Sequence, residues 1–164
     1  MSFSILPVTE AHIPSFRETA DAIFRESRMF TFSEAPPLEQ FRQFVMDIIR
    51  NDEPQFVAVS GDAVIGWCDI LIKPHPAQRH IGVLGLGVLS AHRRQGIGTA
   101  LLEATIGAAR KKGLTRIELY VRTDNGNARR LYEKFGFAVE GLLRKHILID
   151  GAYRDSFIMS VLYE

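Results

Sequence analysis

The chain has 164 residues, 46% of them hydrophobic, and a formal net charge of +1, which predicts one domain over residues 1–164 with a proper core. The near-neutral charge argues against nucleic-acid binding by bulk charge and against a surface built to attract polycations. One cysteine excludes an internal disulfide framework, and no apolar run approaches the length of a membrane span. We therefore expect a cytoplasmic protein with neither a membrane nor a nucleic-acid partner.

The first half of the chain alternates between helical and strand patterns. Thr9 is a good N-cap for the apolar residues at helical spacing that follow it, whereas Pro36-Pro37 forbids a continuing helix. The predicted elements are a strand over 2–8, a helix from Glu10 towards Arg28, an irregular segment over 29–37, a helix over 38–50, and strands over 55–60 and 63–72. A tight turn at Gly61-Asp62 joins the last two strands.

The second half has the same mixture of patterns. A largely apolar run over 80–89 is typical of a strand in the buried middle of a sheet, and Gly113 and Gly136 suit the ends of helices. The predicted elements are that strand, a helix from Gln95 to Gly113, a strand over 116–122, a short helix ending at Gly136, and a hairpin of 137–149 and 153–163. This order predicts an α/β protein with a mixed sheet.

The loop Arg93-Arg94-Gln95-Gly96-Ile97-Gly98 lies between a strand-like run and an amphipathic helix. Such a loop directs backbone N–H groups outward at the positive end of the helix dipole, and this combination binds phosphate oxygens. Glycine at positions 96 and 98 lets a pyrophosphate approach the backbone. Taken alone, the loop has an alternative interpretation as an ordinary strand-to-helix turn with solvated arginines.

Two motifs point to one family. The order Arg-x-x-Gly-x-Gly, between Leu86-Gly87-Val88 and Thr99-Ala100-Leu101-Leu102, resembles the acetyl-CoA loop of the GCN5-related N-acetyltransferases. Residues 125–137 resemble the second signature of that family, Asn-x-x-Ala-x-x-Leu-Tyr-x-x-x-Gly-Phe. The resemblance covers roughly residues 56–163. It implies a mixed, mostly antiparallel twisted sheet of about seven strands flanked by about four helices.

The resemblance also implies acetyl-CoA as the cosubstrate and assigns residues to it. Asn125 would bond the cofactor arm, and its alternative is a turn residue. Tyr132 would give a proton to the leaving thiolate, and its alternative is a core aromatic on the face of the helix. The implied cofactor-binding residues are Leu86, Gly87, Val88, Arg93, Arg94, Gln95, Gly96, Ile97, Gly98, Thr99 and Asn125.

The identity of the general base is open. Many members of that family have a Glu or Asp on the strand before the loop, acting through water, but residues 81–84 have none. An α-amine, with a pKa of about 7.7–8.0, is neutral at pH 7 far more often than a lysine-like amine, so the sequence favours an α-amine acceptor. Glu34 is the candidate for holding or deprotonating that amine, with an exposed loop acid as its alternative, and His80 is another candidate base.

Three other patterns are assigned no function. Gly85-Leu86-Gly87 lacks the third glycine and the immediate helix of a dinucleotide fingerprint. Cys68 lies in a strand context typical of a buried inert thiol. The five histidines show no ligand spacing, so we predict no metal site.

The end of the chain, over residues 140–146 and 150–155, resembles the bacterial small-molecule branch of the family, which includes amino-acid acetyltransferases. We therefore predict an acetyl-CoA-dependent N-acetyltransferase that moves the acetyl group by direct transfer to a primary amine of a small molecule, with an amino acid or related amine favoured. The alternatives are a polyamine or protein N-terminal acetyltransferase and a non-catalytic acyl-CoA-binding regulatory module. A homodimer stays open.

Overall fold

The computed structural model describes residues 2–27 and 30–164, over which the chain forms one sheet of seven strands with four α-helices. The strands are β1 (Ser4–Pro7), β2 (Gln55–Ser60), β3 (Ala63–Ile72), β4 (Ile81–Val88), β5 (Arg116–Arg122), β6 (Ala138–Ile149) and β7 (Ala152–Leu162). The helices are α1 (Ile13–Ser27), α2 (Leu38–Arg50), α3 (Ile97–Lys111) and α4 (Gly126–Lys134). The predicted α/β fold is confirmed.

Several element bounds differ from the prediction by one to three residues, and two of these differences have clear local reasons. α3 begins at Ile97 rather than Gln95, because Gly96 has a φ of 81°, a left-handed conformation that does not continue into a helix. The helix expected from Glu10 opens as a 3₁₀ turn, and the N–H of Thr9 donates to His12 Nδ1 at 3.0 Å. The predicted helix end at Arg28 lies outside the described residues, as does Met29.

The sheet has the order β1-β2-β3-β4-β5-β7-β6, and its neighbours are antiparallel except for the parallel pair β4 and β5. That pair is joined only from Ile81–Val83 to Arg116–Glu118, whereas β4 stays paired with β3 as far as Val88. The two strands therefore separate after Val83. A gap opens beside the second half of β4, where backbone N–H and C=O groups have no strand partner on the β5 side.

Helices cover both faces of the sheet. α3 packs on one face through Leu101 and Leu102, and α1 and α2 cover the other face with Phe16 and Val45 around Trp67. Each fully buried side chain of this kind contributes about 1.5–3 kcal/mol. The predicted stripe of α3 is buried as expected and consists of Ile97, Leu101, Leu102, Thr105 and Ala109. Among the helices of residues 2–27 and 30–164, none has the length and apolar content needed to cross a bilayer.

Candidate active site

The loop that precedes α3 has the backbone of an anion site. A 3₁₀ turn at Ser90–His92 leads from β4 into Arg93, and left-handed conformations follow at Arg94 (φ 61°) and Gly96 (φ 81°). Gly96 is the N-cap of the 15-residue helix α3 and has no side chain with which to cap it. The first N–H groups of α3, at the positive end of its dipole, are therefore available to a phosphate group.

The arginines of this loop have different roles. Arg93 Nε donates to the carbonyl oxygen of Val88 at 3.1 Å, which ties the loop to the end of β4. Arg94 and Gln95 are exposed beside it. A Cβ atom built on Gly96 would meet nothing within 4 Å, so the space above this backbone is open. The loop thus has both the space and the charge that a pyrophosphate requires.

An open cavity of about 1150 Å³ extends from this loop into the gap between β4 and β5. Its volume exceeds the roughly 300–1,000 Å³ of ordinary small-molecule pockets, as a long cofactor with a second substrate would require. Gln95 is the one predicted cofactor-binding residue that does not line it. The predicted residues that do line it are Leu86, Gly87, Val88, Arg93, Arg94, Gly96, Ile97, Gly98, Thr99, Asn125 and Tyr132.

Tyr132 lies on α4 between the core and the cavity. Its side chain is buried, with a relative exposure of 8%, and its ring lies 5.9 Å from that of Phe137, centroid to centroid. Burial, and to a lesser extent the electrostatic effect of Cys68, raise the pKa of the Tyr132 phenol above its ordinary value. The phenol is therefore protonated at neutral pH and able to donate a proton. Tyr132 thus packs as a core aromatic and also lines the cavity, and its role as proton donor stays a prediction.

Asn125 caps a helix and also lines the cavity, and its contact with the cofactor arm stays a prediction. It is the N-cap of α4, and its side-chain oxygen accepts a hydrogen bond from the N–H of Ala128 at 3.3 Å. This is the local turn role that Asn favours before a helix. The same residue lines the cavity on the side opposite β4. Its amide is thus held in a fixed orientation at the wall of the gap.

Comparison with known protein families shows which family this chain belongs to. The model of the Acetyltransferase (GNAT) family matches residues 15–137. The chain belongs to the GNAT family. This confirms the resemblance inferred from the two motifs. Acetyl-CoA is the acetyl donor in GNAT enzymes, and the uncapped helix, the open gap and the buried phenol are groups that fit it.

Relatives with assigned names are also acetyltransferases. The L-amino acid N-acetyltransferase AaaT of Escherichia coli is 33% identical over 107 residues, which are 65% of this chain and 66% of that protein. N-alpha-acetyltransferase 50 of Danio rerio is 29% identical over 104 residues, 63% of this chain and 62% of that protein. The match therefore spans slightly less than two thirds of the length of these relatives.

The fold is shared with solved GNAT structures. A Salmonella typhimurium protein solved with its cofactor acetyl-CoA superposes with a TM-score of 0.93, covering 100% of this chain and 95% of the other. The two sequences are 17% identical, so this likeness shows the fold alone.

The two predicted base candidates lie outside the cavity of this GNAT protein. Glu34 Oε2 accepts from Arg25 Nη2 at 2.7 Å, its side chain is 63% exposed, and it does not line the cavity. His80 is exposed in the turn before β4 and does not line it either. Glu26, near the end of α1, is a carboxylate that does. The role of Glu34 stays a prediction.

Replacing Glu34 by Gln is expected to raise the KM of the acceptor or lower turnover, with unchanged affinity for acetyl-CoA, if this carboxylate holds the amine. Glu26→Gln is the matched variant, because it removes the same charge from the same region at a residue that lines the cavity. Steady-state kinetics with varied acceptor, together with calorimetric binding of acetyl-CoA, compare the two. If only Glu26→Gln changes the kinetics, Glu26 is the carboxylate that holds the acceptor amine. Normal kinetics in both variants would exclude both carboxylates from this role.

The pair Tyr120 and His146 was not found by sequence reasoning. Their rings stack with centroids 5.2 Å apart, and both line the cavity beyond the gap. A bulge in β6 between Leu143 and Ile147 places His146 there, with Lys145 at a φ of 53° and its N–H donating to Asp155 Oδ1 at 2.8 Å. Bulges commonly redirect side chains next to active sites. Neither motif of the sequence signals this bulge.

Cys68 is fully buried in β3, on the face of the sheet that α3 covers. Burial raises the pKa of its thiol well above the ordinary value, so the nucleophilic thiolate does not form at neutral pH. Cys68→Ala is therefore expected to leave the rate of acetyl transfer unchanged, as measured by release of free CoA. Loss of activity in a Cys68→Ala protein that still binds acetyl-CoA would instead support transfer through an acetyl group carried covalently by Cys68.

The absence of a metal site stays a prediction. Within residues 2–27 and 30–164, no three His, Cys, Asp or Glu side chains come together as a metal site. The side chains that line the cavity include guanidinium groups, phenols, two imidazoles and two carboxylates.

Proposed function

We propose that this chain is an acetyl-CoA-dependent N-acetyltransferase that transfers the acetyl group directly to a primary α-amine of a small molecule, an amino acid or a related amine. One observation carries the proposal. A single cavity joins the phosphate-binding loop, the exposed backbone of β4 and the phenol of Tyr132. A donor thioester and an amine held together in this cavity would react as one complex rather than by free encounter.

Binding of the donor uses backbone more than side chains. The N–H groups at the start of α3 would hold the pyrophosphate, with Arg93 and Arg94 adding positive charge. The unpaired edge of β4 from Leu86 to Val88 would bond the pantetheine arm, and Asn125 faces it across the gap. Acetyl-CoA supplies the activated acetyl group as a thioester.

The chemistry requires three contributions from the chain. The amine nitrogen attacks the thioester carbon, so that a C–N bond forms and the C–S bond breaks. A backbone N–H near Val88 would polarise the carbonyl oxygen as charge develops on it. Tyr132 would donate its proton to the sulfur that leaves as thiolate, and a proton released by the amine replaces it. Covalent acetylation of the protein has no part in this route.

The acceptor end of the cavity favours an amine with an apolar body. The lining there includes Phe30, Ile23 and the Tyr120–His146 stack, with the carboxylate of Glu26. The second carboxylate of the cavity, Asp124, is paired with Arg122 Nη2 at 2.6 Å, so the cavity suits a single ammonium group better than a polyamine, which would require several acids. The names of the two relatives, which specify L-amino acids and N-alpha positions, support an α-amine.

Two isomers of one compound test this preference. Nε-acetyl-L-lysine offers only its α-amine and Nα-acetyl-L-lysine only its ε-amine, so they differ in which amine is free. We expect faster acetylation of the first at pH 7, because a larger fraction of an α-amine is neutral. L-Leucine, L-phenylalanine, a dipeptide and spermidine complete the panel. Preference for spermidine over every α-amine would contradict the proposed acceptor class while leaving acetyl transfer intact.

The rival function is a non-catalytic module that binds acyl-CoA. Its support is the lack of an acidic residue in β4, whose sequence is Ile-Gly-Val-Leu-Gly-Leu-Gly-Val. Tyr132 at the cavity argues against it, since binding alone does not require a buried phenol. A homodimer stays a prediction that the elution volume of the purified protein will test.

A further inference from the structure

Two side chains of β3 lie across β4 on the face of the sheet that α1 and α2 cover. In the antiparallel register of these strands, Trp67 pairs with Gly87 and Asp69 pairs with Gly85. A Cβ atom built on Gly87 would lie 2.5 Å from the Trp67 ring, and one built on Gly85 would lie 3.1 Å from Asp69 Oδ1. The absence of side chains at these two β4 positions therefore leaves room that β3 side chains fill.

This arrangement places a carboxylate behind a residue that lines the cavity. Gly85 lies just beyond Val83, the last β4 residue paired with β5, and both Gly85 and Leu86 line the cavity. Asp69 itself does not line the cavity, but its Oδ1 lies 3.1 Å from the position that a Gly85 Cβ would occupy, so the carboxylate lies directly behind this glycine. β4 has no acidic residue of its own, and the neighbouring strand supplies one at this point.

The surroundings of Asp69 allow its protonation state to change. The residue is 8% exposed, and its Oδ2 accepts from Gln55 Nε2 at 3.0 Å, a neutral partner that is itself buried. Burial raises the pKa of Asp69 to about 7, the Gln55 hydrogen bond opposes the rise, and the charge of Glu53 adds to it. A carboxylate paired with a cation would instead be held ionised.

The Gln55 amide can serve both protonation states. Within the described part of the chain, Gln55 Oε1 has no hydrogen-bond partner. Rotation of the amide by a half turn would present this oxygen to a protonated Asp69, which would then donate to it. The pair thus holds the carboxyl group in place before and after it takes up a proton.

We propose that Asp69 accepts the proton of the acceptor ammonium group, through a water molecule beside Gly85, before the amine attacks. This rests on the acetyltransferase function proposed above. Asp69 acts through the water rather than on the substrate, and Gly85 is the opening through which it does so. The assignment gives the chain the base that its own β4 lacks.

The protons balance over one turnover. The ammonium group loses one proton to Asp69 through the water and becomes a nucleophilic amine. The same nitrogen loses a second proton as the C–N bond forms, and this one restores the proton that Tyr132 gives to the thiolate. Asp69 then releases its proton to solvent. The products are the amide, CoA thiol and one proton.

The groups that surround Asp69 allow a change of rate with pH to be assigned to its titration. Glu53, in the turn before β2, is a titratable group whose charge acts on it, and the Cys68 thiol next to it in β3 is neutral. From β2 it faces the uncharged Gln55, and from β4 a glycine. α1 and α2 pack on this face of the sheet with apolar side chains such as Phe16 and Phe41.

The test compares kcat/KM of the wild type and of Asp69→Asn between about pH 5.5 and 9, roughly one to two units either side of a pKa of about 7, with Nε-acetyl-L-lysine as acceptor. Asn keeps the shape of the side chain and accepts the same hydrogen bond. The ratio of the two rates cancels the titration of the acceptor itself. We expect this ratio to rise with a midpoint near pH 7 and to reach about 100-fold, with unchanged acetyl-CoA affinity.

Glu53→Gln is the matched control, since it removes a neighbouring half-buried carboxylate that does not line the cavity. It should keep wild-type activity and move the midpoint to lower pH, because it removes the charge that raises the pKa of Asp69. A ratio of the two kcat/KM values that does not change with pH, or an Asp69→Asn enzyme as fast as the wild type, would exclude Asp69 as the proton acceptor. Either result would leave the proposed acetyltransferase function standing. A wild type that acetylates no amine of the panel would instead remove the proposed function, and this role with it.

Discussion

Gly98→Glu and Gly96→Glu should each abolish binding of acetyl-CoA. Both residues line the cavity at the start of α3, where the backbone N–H groups would meet the pyrophosphate. A glutamate side chain there fills the phosphate position and places a negative charge against another negative charge. At Gly96 it also forces a non-glycine residue into a φ of 81°, which costs about 1 kcal/mol.

The same helix offers a matched control for this prediction. Gly107 lies in α3, away from the described cavity, and a Cβ atom built there meets nothing within 4 Å. Gly107→Glu therefore makes the same chemical change and should bind acetyl-CoA as the wild type does. Calorimetry gives the affinity, and the rise in Tm on adding acetyl-CoA gives a second readout, because a ligand of the native state stabilises it. Normal binding by either Gly96→Glu or Gly98→Glu would remove the phosphate-loop assignment.

Tyr132→Phe should lower turnover about 100-fold while changing acetyl-CoA affinity little. The substitution removes the proton donor and keeps the ring that packs on Phe137. Loss of one general acid typically costs about 10²–10⁴ in rate, so 100-fold corresponds to about 2.7 kcal/mol of transition-state stabilisation. Single-turnover kinetics are the appropriate measurement, since product release can hide a change in the chemical step.

Tyr163→Phe is the control for Tyr132→Phe. Tyr163 packs against Arg110 at 4.3 Å from its ring centroid, outside the cavity in the gap. It loses the same hydroxyl group at a position where the proposed chemistry requires none, so its turnover should be that of the wild type. An unchanged single-turnover rate in Tyr132→Phe would remove this residue from the mechanism.

The elements that could be predicted from sequence are those whose signals are local. α2, β2, β3 and β5 have the predicted bounds, because apolar periodicity, Pro36-Pro37 and the Gly61-Asp62 turn determine them from within each segment. The start of α3 differs by two residues, since the decisive property is the left-handed backbone of Gly96. Glycine permits this conformation, but its presence in the sequence does not show that the conformation is adopted.

The candidate site also contains some residues that local sequence signals predict and others that they do not. The residues of the cofactor loop are consecutive, so one motif names nearly all of them. The acceptor end is assembled from three distant segments, which contribute Glu26, Tyr120 and His146, and a β6 bulge brings the last of these into place. Asp69 lies in a strand whose pattern predicts burial, and only the pairing with Gly85 shows that it lies behind a residue that lines the cavity. These relationships depend on tertiary contacts that no single segment encodes.

The most direct measurement of the central claim follows the acetyl group itself. The purified protein is mixed with acetyl-CoA labelled in the acetyl group and with the amine panel, and mass spectrometry then locates the label while free CoA thiol is counted. Direct transfer predicts that the label appears on an α-amine, mole for mole with CoA, and that the protein stays unlabelled. Tight binding of acetyl-CoA with no labelled amine from any member of the panel would contradict the account and favour a non-catalytic binding module.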